Sequence, residues 1–244
     1  MIPKKIHFCW LSGEEFPPLI KYCIETWRQI LPDYEIVLWD TQKFDINSVP
    51  WVKEAFEAKK YAFAADYIRV YALYTEGGIY LDSDVEMLKS FNPLLNYRTF
   101  IGYEASTNGI EAAIMGAEAG MDWCKEAMDF YKEKHFSMEY VREKGLLAPN
   151  VILQALQIVY PKVEFVPPKE EITVEEGEML ICPAHYFSPV TYDIEKAYSK
   201  QNQMMKKYRK NPDTYCIHLF NASWTRRPDR KIQIWEYIKK HFFK

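Results

Sequence analysis

The chain has 244 residues, of which 31 are Lys or Arg and 34 are Asp or Glu, so its formal net charge is -3. Hydrophobic residues make up 48%, which is too many for a disordered chain. No apolar run approaches the roughly 18 residues that a membrane-spanning helix requires. The first residues lack the apolar region of a signal peptide, so we do not expect secretion. Five widely spaced cysteines without a Cys-x-x-Cys pair favour reduced thiols in a cytoplasmic protein over a zinc site or a disulfide framework.

The first third of the chain alternates between strand and helix patterns. Short apolar segments predict strands at 4–10, 34–39 and 79–81. Proline starts and helical periodicity predict helices from Pro17 to about Ile30, at 50–60 and at 61–76. Gly77-Gly78 ends the last of these helices. The strand–helix–strand order predicts parallel strands joined by a right-handed crossover, and therefore an α/β fold.

The remainder of the chain continues the mixed pattern. Strands are expected at 99–103, 110–116 and 215–220, and helices at 121–134, 148–159, 193–209 and 231–243. No repeat, low-complexity tract or linker interrupts the sequence, so we expect one domain, 1–244.

Charge is distributed unevenly along the chain. Residues 196–244 contain 13 Lys or Arg and 3 Asp or Glu, a net of +10, which leaves the rest near -13. The helix expected at 231–243 either packs on the acidic body or lies on an anionic membrane surface. The basic residues do not form the stripe typical of nucleic-acid binding, so we expect no nucleic-acid partner.

The first chemical signal is Asp82-Ser83-Asp84, which directly follows an apolar strand. Two carboxylates this close repel each other unless one is protonated or a cation joins them. Carboxylate oxygens suit Mg²⁺ and Mn²⁺. An acidic turn without metal is the commoner explanation for such a motif on its own.

Two further signals flank this motif in the sequence. Asp66 and Arg69 lie three apart, on one face of an otherwise apolar helix, where they either pair with each other or serve a site. Near the other end, His218 could supply a third metal ligand, and Ser223-Trp224 could donate hydrogen bonds to phosphate oxygens. A lone histidine is more often structural.

Taken in order, these residues resemble the "sugar-binding region" glycosyltransferases with a D-x-D motif (glycosyltransferase family 32). The family includes bacterial capsular-polysaccharide transferases and yeast initiating mannosyltransferases; a more distant similarity is to the glucosylating domains of large clostridial toxins. The resemblance is carried by Ile2–Trp10, Asp66-x-x-Arg69, Gly77–Asp84, and His218 with Ser223-Trp224. It implies a GT-A fold, with one Rossmann-like nucleotide-sugar-binding domain, a mixed central sheet and added helices. Residues 1–103 would mainly bind the nucleotide sugar, and 104–244 the acceptor, with a C-terminal metal- and diphosphate-binding segment.

The resemblance also implies a role for each matched position. The implied catalytic residues are Asp66, Arg69, Asp82 and Asp84. The implied substrate contacts are Trp10 on the base, Asp66 and Arg69 on the donor sugar, Tyr80 and Asp82 on the ribose or sugar, Asn150 on the sugar, and Ser223 and Trp224 on the diphosphate. The implied metal ligands are Asp84, His218 and Asp82. In the toxins a carboxylate stands where this chain has His218.

The implied function is the retaining transfer of a hexose from a nucleotide-diphosphate sugar, with Mn²⁺ or Mg²⁺ as the metal. UDP-Gal or UDP-Glc is the first donor we expect and GDP-Man the second. The acceptor would be a glycan or a lipid-linked acceptor in bacterial surface polysaccharide synthesis, at the inner face of the plasma membrane. Two alternatives stay open: a haloacid-dehalogenase-like phosphatase with Asp82 as nucleophile, and a sugar-binding protein without turnover.

Overall fold

The structure is a computed structural model of the chain, and it describes residues 1–105, 107–175, 177–189 and 205–220. The strands are Lys5–Cys9 (β1), Glu35–Trp39 (β2), Gly78–Leu81 (β3), Val85–Met87 (β4), Thr99–Gly102 (β5), Ile114–Ala117 (β6), Ile172–Val174 (β7), Met179–Cys182 (β8) and Cys216–His218 (β9). The α-helices are Pro18–Ile30 (α1), Pro50–Glu57 (α2), Tyr61–Glu76 (α3), Asp122–Lys132 (α4), Met138–Lys144 (α5), Ala148–Val159 (α6) and Ala184–Phe187 (α7).

Seven of these strands form a mixed sheet in the order β2-β1-β3-β6-β5-β8-β7. Strand β1 runs parallel to both β2 and β3, as the strand–helix–strand pattern predicts. Strand β6 pairs antiparallel with β3 and β5, and β8 runs parallel to β5. The mixed α/β sheet predicted from the sequence is therefore confirmed.

The sheet is covered on both faces, because every residue of β3, β5, β6 and β8 is buried. Large aromatic side chains fill the core, and their polar atoms are bonded. Trp51 donates its indole N–H to the Phe63 carbonyl at 2.9 Å, and Trp27 donates to the Val85 carbonyl at 2.8 Å. The Trp27 bond fixes α1 against the chain that leaves β3.

A second, two-stranded sheet pairs β4 with β9, and the sequence did not predict β4. The register places Val85 opposite His218 and Glu86 opposite Ile217. Glu86 is buried, and its carboxylate accepts bidentate hydrogen bonds from the Arg209 guanidinium at 2.7 to 3.1 Å. It also accepts a hydrogen bond from the Tyr22 hydroxyl at 2.6 Å. This small sheet holds the late segment of the chain against the turn after β3.

The predicted element boundaries hold best where local signals are strong. The helices expected at 61–76 and 148–159 have those bounds in the structure. The strand expected at 110–116 begins only at Ile114, because the Glu111 carboxylate accepts the Ala113 N–H and makes a turn there. The short helix α5, capped by the Ser137 hydroxyl, was not predicted.

Parts of two predicted helices fall outside the described residues. Of the helix expected at 193–209, residues 205–209 are described, and 205–208 are helical. The helix expected at 231–243 lies wholly outside the described residues. Within the part of the chain that the structure describes, no helix has the length and apolarity to span a bilayer.

Candidate active site at the end of strand β3

The turn between β3 and β4 carries the D-x-D motif. The Asp82 N–H donates to the Ala113 carbonyl at 2.9 Å, and the Val85 N–H donates to the Asp82 carbonyl at 3.1 Å. The Asp84 carbonyl accepts the Leu219 N–H at 3.1 Å, so the late segment after β9 is bonded directly to the motif. These backbone bonds fix the position from which both aspartates project.

Asp82, Asp84 and His218 converge into one cluster. One ligand atom of each lies within 4.8 Å of the others, and the His218 Nε2 lies 3.6 Å from the Asp84 Oδ1. Ligands of one Mg²⁺ ion at about 2.1 Å from it lie no more than about 4.2 Å apart, so small side-chain shifts close the set. Two carboxylates and an imidazole are also ligands that Mn²⁺ accepts. The residues present therefore fit the divalent ion that the motif implies.

The charges around the cluster shift the pKa values of His218 and Asp82. Burial opposes a charge on His218, but the facing carboxylates of Glu111 and Asp84 outweigh it and hold the pKa of His218 well above its ordinary value. Burial raises the pKa of Asp82, although Arg69 and His218 act against that rise.

Arg69 connects helix α3 to the same cluster. Its side chain is 6% exposed, and it donates to Asp66 at 2.8 Å and to the Ala112 carbonyl at 2.7 Å. It also lies 3.6 Å from the Asp82 Oδ1. The ion pair considered for Asp66 and Arg69 is present, and its Arg69 guanidinium also lies beside Asp82 of the D-x-D turn.

Asp66 and Tyr80 complete the arrangement around Arg69. Burial raises the pKa of Asp66 to about 6, with Arg69 opposing the shift. The Tyr80 hydroxyl donates to the Asp82 Oδ1 at 3.0 Å, and the Arg69 guanidinium lies over the Tyr80 ring at 4.9 Å from its centroid. Asp66, Arg69, Tyr80 and Asp82 are therefore brought together by direct contacts.

The other substrate-binding candidates are placed differently. Trp10 directly follows β1, a neighbour of β3, and donates its indole N–H to the Glu14 carbonyl at 2.7 Å. Asn150 is exposed in the first turn of α6, and within the described residues its side chain bonds to the Gly145 carbonyl at 2.8 Å. That bond does not link Asn150 to the Asp82 cluster. Ser223 and Trp224 lie outside the described residues.

Glu111 is a site residue that the sequence interpretation missed. It is 2% exposed, and its Oε2 lies 3.5 Å from the His218 Nδ1. Burial tends to raise the pKa of Glu111, but the nearby charge of His218, together with the Ser188 hydroxyl and the Ala113 N–H, outweighs that effect and lowers it. The only signal in the sequence was a charge at the start of an apolar segment.

The fold and this cluster resemble those of a glycosyltransferase of the D-x-D, GT-A class. Residues 17–101 match the family described as "Glycosyltransferase sugar-binding region containing DXD motif". The matched segment includes Asp66, Arg69, Asp82 and Asp84, and the resemblance inferred from the sequence is confirmed. This part of the chain is thus similar to the DXD sugar-binding region of that family.

Two relatives match part of the chain. The chain is 36% identical over 107 residues to "Inositol phosphoceramide mannosyltransferase 3" of Schizosaccharomyces pombe, covering 41% of this chain and 29% of the relative. It is 32% identical over 105 residues to "Mannosyl phosphorylinositol ceramide synthase SUR1" of Saccharomyces cerevisiae, covering 41% and 27%. The matches thus span less than a third of either relative. Among solved structures, "PaToxG Glycosyltransferase" shares the fold, with a TM-score of 0.50, 21% identity, and coverage of 66% of this chain and 70% of that one.

Proposed function

We propose that the protein transfers a hexose from a nucleotide-diphosphate sugar to a hydroxyl group, with a divalent ion held by Asp82, Asp84 and His218. The observation that carries the proposal is the convergence of these three side chains beside the buried Arg69–Asp66 pair. The bound ion would supply positive charge to the departing diphosphate. The activity and the roles of the individual residues belong to this proposal.

The residues of the chain act mainly by positioning the donor. Asp66 and Arg69 would hold hydroxyl groups of the sugar, because both sit at the cluster with their polar atoms fixed by bonds to each other and to the Ala112 carbonyl. Tyr80, bonded to Asp82, would hold that carboxylate in orientation. Trp10 would stack on the nucleoside base, since it follows the strand beside β3.

We further propose retention of the anomeric configuration by front-face substitution, in which the departing phosphate takes up the proton of the attacking hydroxyl. Glu104 lies in the loop after β5, where its carboxylate accepts a bond from the Thr107 hydroxyl. A sugar–enzyme adduct detected by mass spectrometry would contradict this mechanism.

We propose that the sugar transferred from the donor is a hexose: galactose, glucose or mannose. Both curated relatives described above are named for mannose transfer, which makes GDP-Man the first donor to test, followed by UDP-Gal and UDP-Glc. The proposed acceptor is a glycan or a lipid-linked headgroup, as in surface polysaccharide synthesis. We propose that the chain acts as one domain at the cytoplasmic face of a membrane, with 231–243 as the contact.

A donor screen tests the proposal directly. Purified protein is incubated with each nucleotide sugar, with Mn²⁺, Mg²⁺ or EDTA, and free nucleoside diphosphate is measured. We expect release from one donor only, abolished by EDTA and by Asp84→Asn. Equal release with and without the ion would refute the metal-dependent proposal, and liposome co-sedimentation that survives deletion of 231–244 would refute the membrane contact.

A further inference from the structure

We infer that Glu111 is the positioning residue of the metal site, and that its carboxylate holds the His218 imidazole with Nε2 directed at the two aspartates. The inference rests on the proposed metal site and extends it to a residue that makes no contact with the ion. Glu111 is absent from the cluster of ligand atoms formed by Asp82, Asp84 and His218.

The geometry assigns one function to each end of the imidazole. Nε2 lies 3.6 Å from the Asp84 Oδ1, and Nδ1 lies 3.5 Å from the Glu111 Oε2. Within the described residues, that Nδ1 and that Oε2 are both buried without a hydrogen-bond partner. Each is therefore an available partner for the other, and a shift of a few tenths of an ångström joins them.

The carboxylate of Glu111 is itself held in place. Its Oε1 accepts the Ala113 N–H at 2.9 Å, and the carbonyl of Ala113 accepts the N–H of Asp82. The turn that orients Glu111 is thus bonded to the D-x-D turn. Glu111, which faces His218, and the two aspartates are therefore held in a fixed arrangement. A metal-bound histidine commonly donates its second ring N–H to such a carboxylate, which fixes the tautomer and the ring orientation.

Backbone pairing alone leaves the ring free to rotate. Strand β9 fixes the His218 backbone opposite Val85, but it does not determine which nitrogen faces the aspartates. Phe220 contacts the other side of the imidazole, at a centroid distance of 4.0 Å, and limits its tilt without choosing a nitrogen. Glu111 is the group that makes this choice.

The decisive variant is Glu111→Gln, because the amide is nearly the same size as the carboxylate. The amide oxygen must accept the buried Ala113 N–H, so the NH₂ group turns toward the His218 Nδ1. That nitrogen must then accept, the ring proton moves to Nε2, and the metal-binding nitrogen is blocked. We expect the dissociation constant for Mn²⁺, measured by calorimetry and by electron paramagnetic resonance, to rise about ten- to hundredfold.

A double-mutant cycle separates positioning from direct ligation. In a His218→Ala background, Glu111→Gln should change Mn²⁺ affinity less than twofold, because its effect passes through the missing ring. Glu118→Gln, a carboxylate paired with Arg98, serves as the matched control and should bind Mn²⁺ like the wild type. If Glu111→Gln fails to fold, Glu111→Asp, which keeps the charge but withdraws it from Nδ1, is measured in its place and should also weaken binding.

The outcomes are distinguishable. Unchanged Mn²⁺ affinity in a folded Glu111 variant, with normal binding by the wild type, overturns this inference and leaves the proposed function standing. An equal loss in the His218→Ala background overturns it in favour of direct ligation by Glu111. A wild-type protein that binds no Mn²⁺ overturns both proposals.

Discussion

The buried ion pair between Glu86 and Arg209 predicts a large stability effect from a single substitution. Arg209→Met removes the charge and keeps most of the side-chain volume. Glu86 is 3% and Arg209 16% exposed in their side chains, and three contacts of 2.7 to 3.1 Å join them. Removal of one partner of a buried pair typically costs about 3–5 kcal/mol, because the other charge stays buried without compensation.

Two features reduce that figure for this pair. The Tyr22 hydroxyl continues to donate to Glu86 at 2.6 Å, and water reaches the exposed part of the position that Arg209 occupies. We therefore expect Arg209→Met to lower the free energy of unfolding at neutral pH by about 3 kcal/mol. Urea denaturation followed by circular dichroism measures this change.

The location of the effect can be measured as well. Since Arg209 fastens the segment before β9 to Glu86 of β4, hydrogen exchange should accelerate first in peptides that contain 85–88 and 215–219. Lys206→Met, at an exposed position in the same segment, is the control and should change stability by no more than about 0.5 kcal/mol. The double variant Glu86→Gln/Arg209→Met buries no charge and should recover more than half of the loss.

A result within about 0.5 kcal/mol of the wild type for Arg209→Met would refute the reasoning, because it would place Glu86 in contact with water. A double variant as unstable as the single one would show that the loss comes from packing and not from the charge.

Three further predictions concern the site and the sheet beneath it. Asp84→Asn should abolish measurable Mn²⁺ binding and reduce kcat by about 10²–10³-fold, in keeping with the loss of one group that stabilises the transition state. Gly116→Ala should destabilise the protein by about 1–3 kcal/mol in urea, because a Cβ there would meet the Phe100 ring at 2.1 Å. Since burial raises the pKa of Asp66 to about 6, kcat/KM should fall as the pH drops through 6, where Asp66 takes up a proton and its pair with Arg69 is lost.

Each of these has its control. Asp33→Asn, at an exposed aspartate, should leave Mn²⁺ binding unchanged. Gly13→Ala meets no atom within 4 Å and tests the cost of a positive φ alone, so a loss equal to that of Gly116→Ala would argue against the steric explanation. In Asp66→Asn the fall in kcat/KM at acidic pH should disappear. A fall that persists unchanged would show that another group causes it.

Local signals in the sequence were sufficient to predict the residues at the centre of the candidate site. Three signals each act over a few residues: the apolar strand before Asp82, the helical spacing of Asp66 and Arg69, and Gly77, which ends the helix. Structure over so short a range is determined largely by the local sequence. The helix 61–76 and the mixed sheet follow from the same local patterns.

What the sequence could not predict depends on contacts between distant segments. Strand β4 is only three residues long and carries the charged Glu86, which is acceptable there because Arg209 approaches from 123 positions away. Glu111 looked like part of a strand, and its importance depends on His218, which the small sheet delivers. No periodicity within a short window contains that information.

The β4–β9 pairing also bears on how the protein is made. Residues up to Met87 are synthesised early, but their partner strand follows more than a hundred codons later. Long-range pairing of this kind forms slowly, since the intervening chain must first be brought together. On the ribosome, Asp82 and Asp84 therefore emerge well before His218, and the proposed cation site can form only after translation has passed His218.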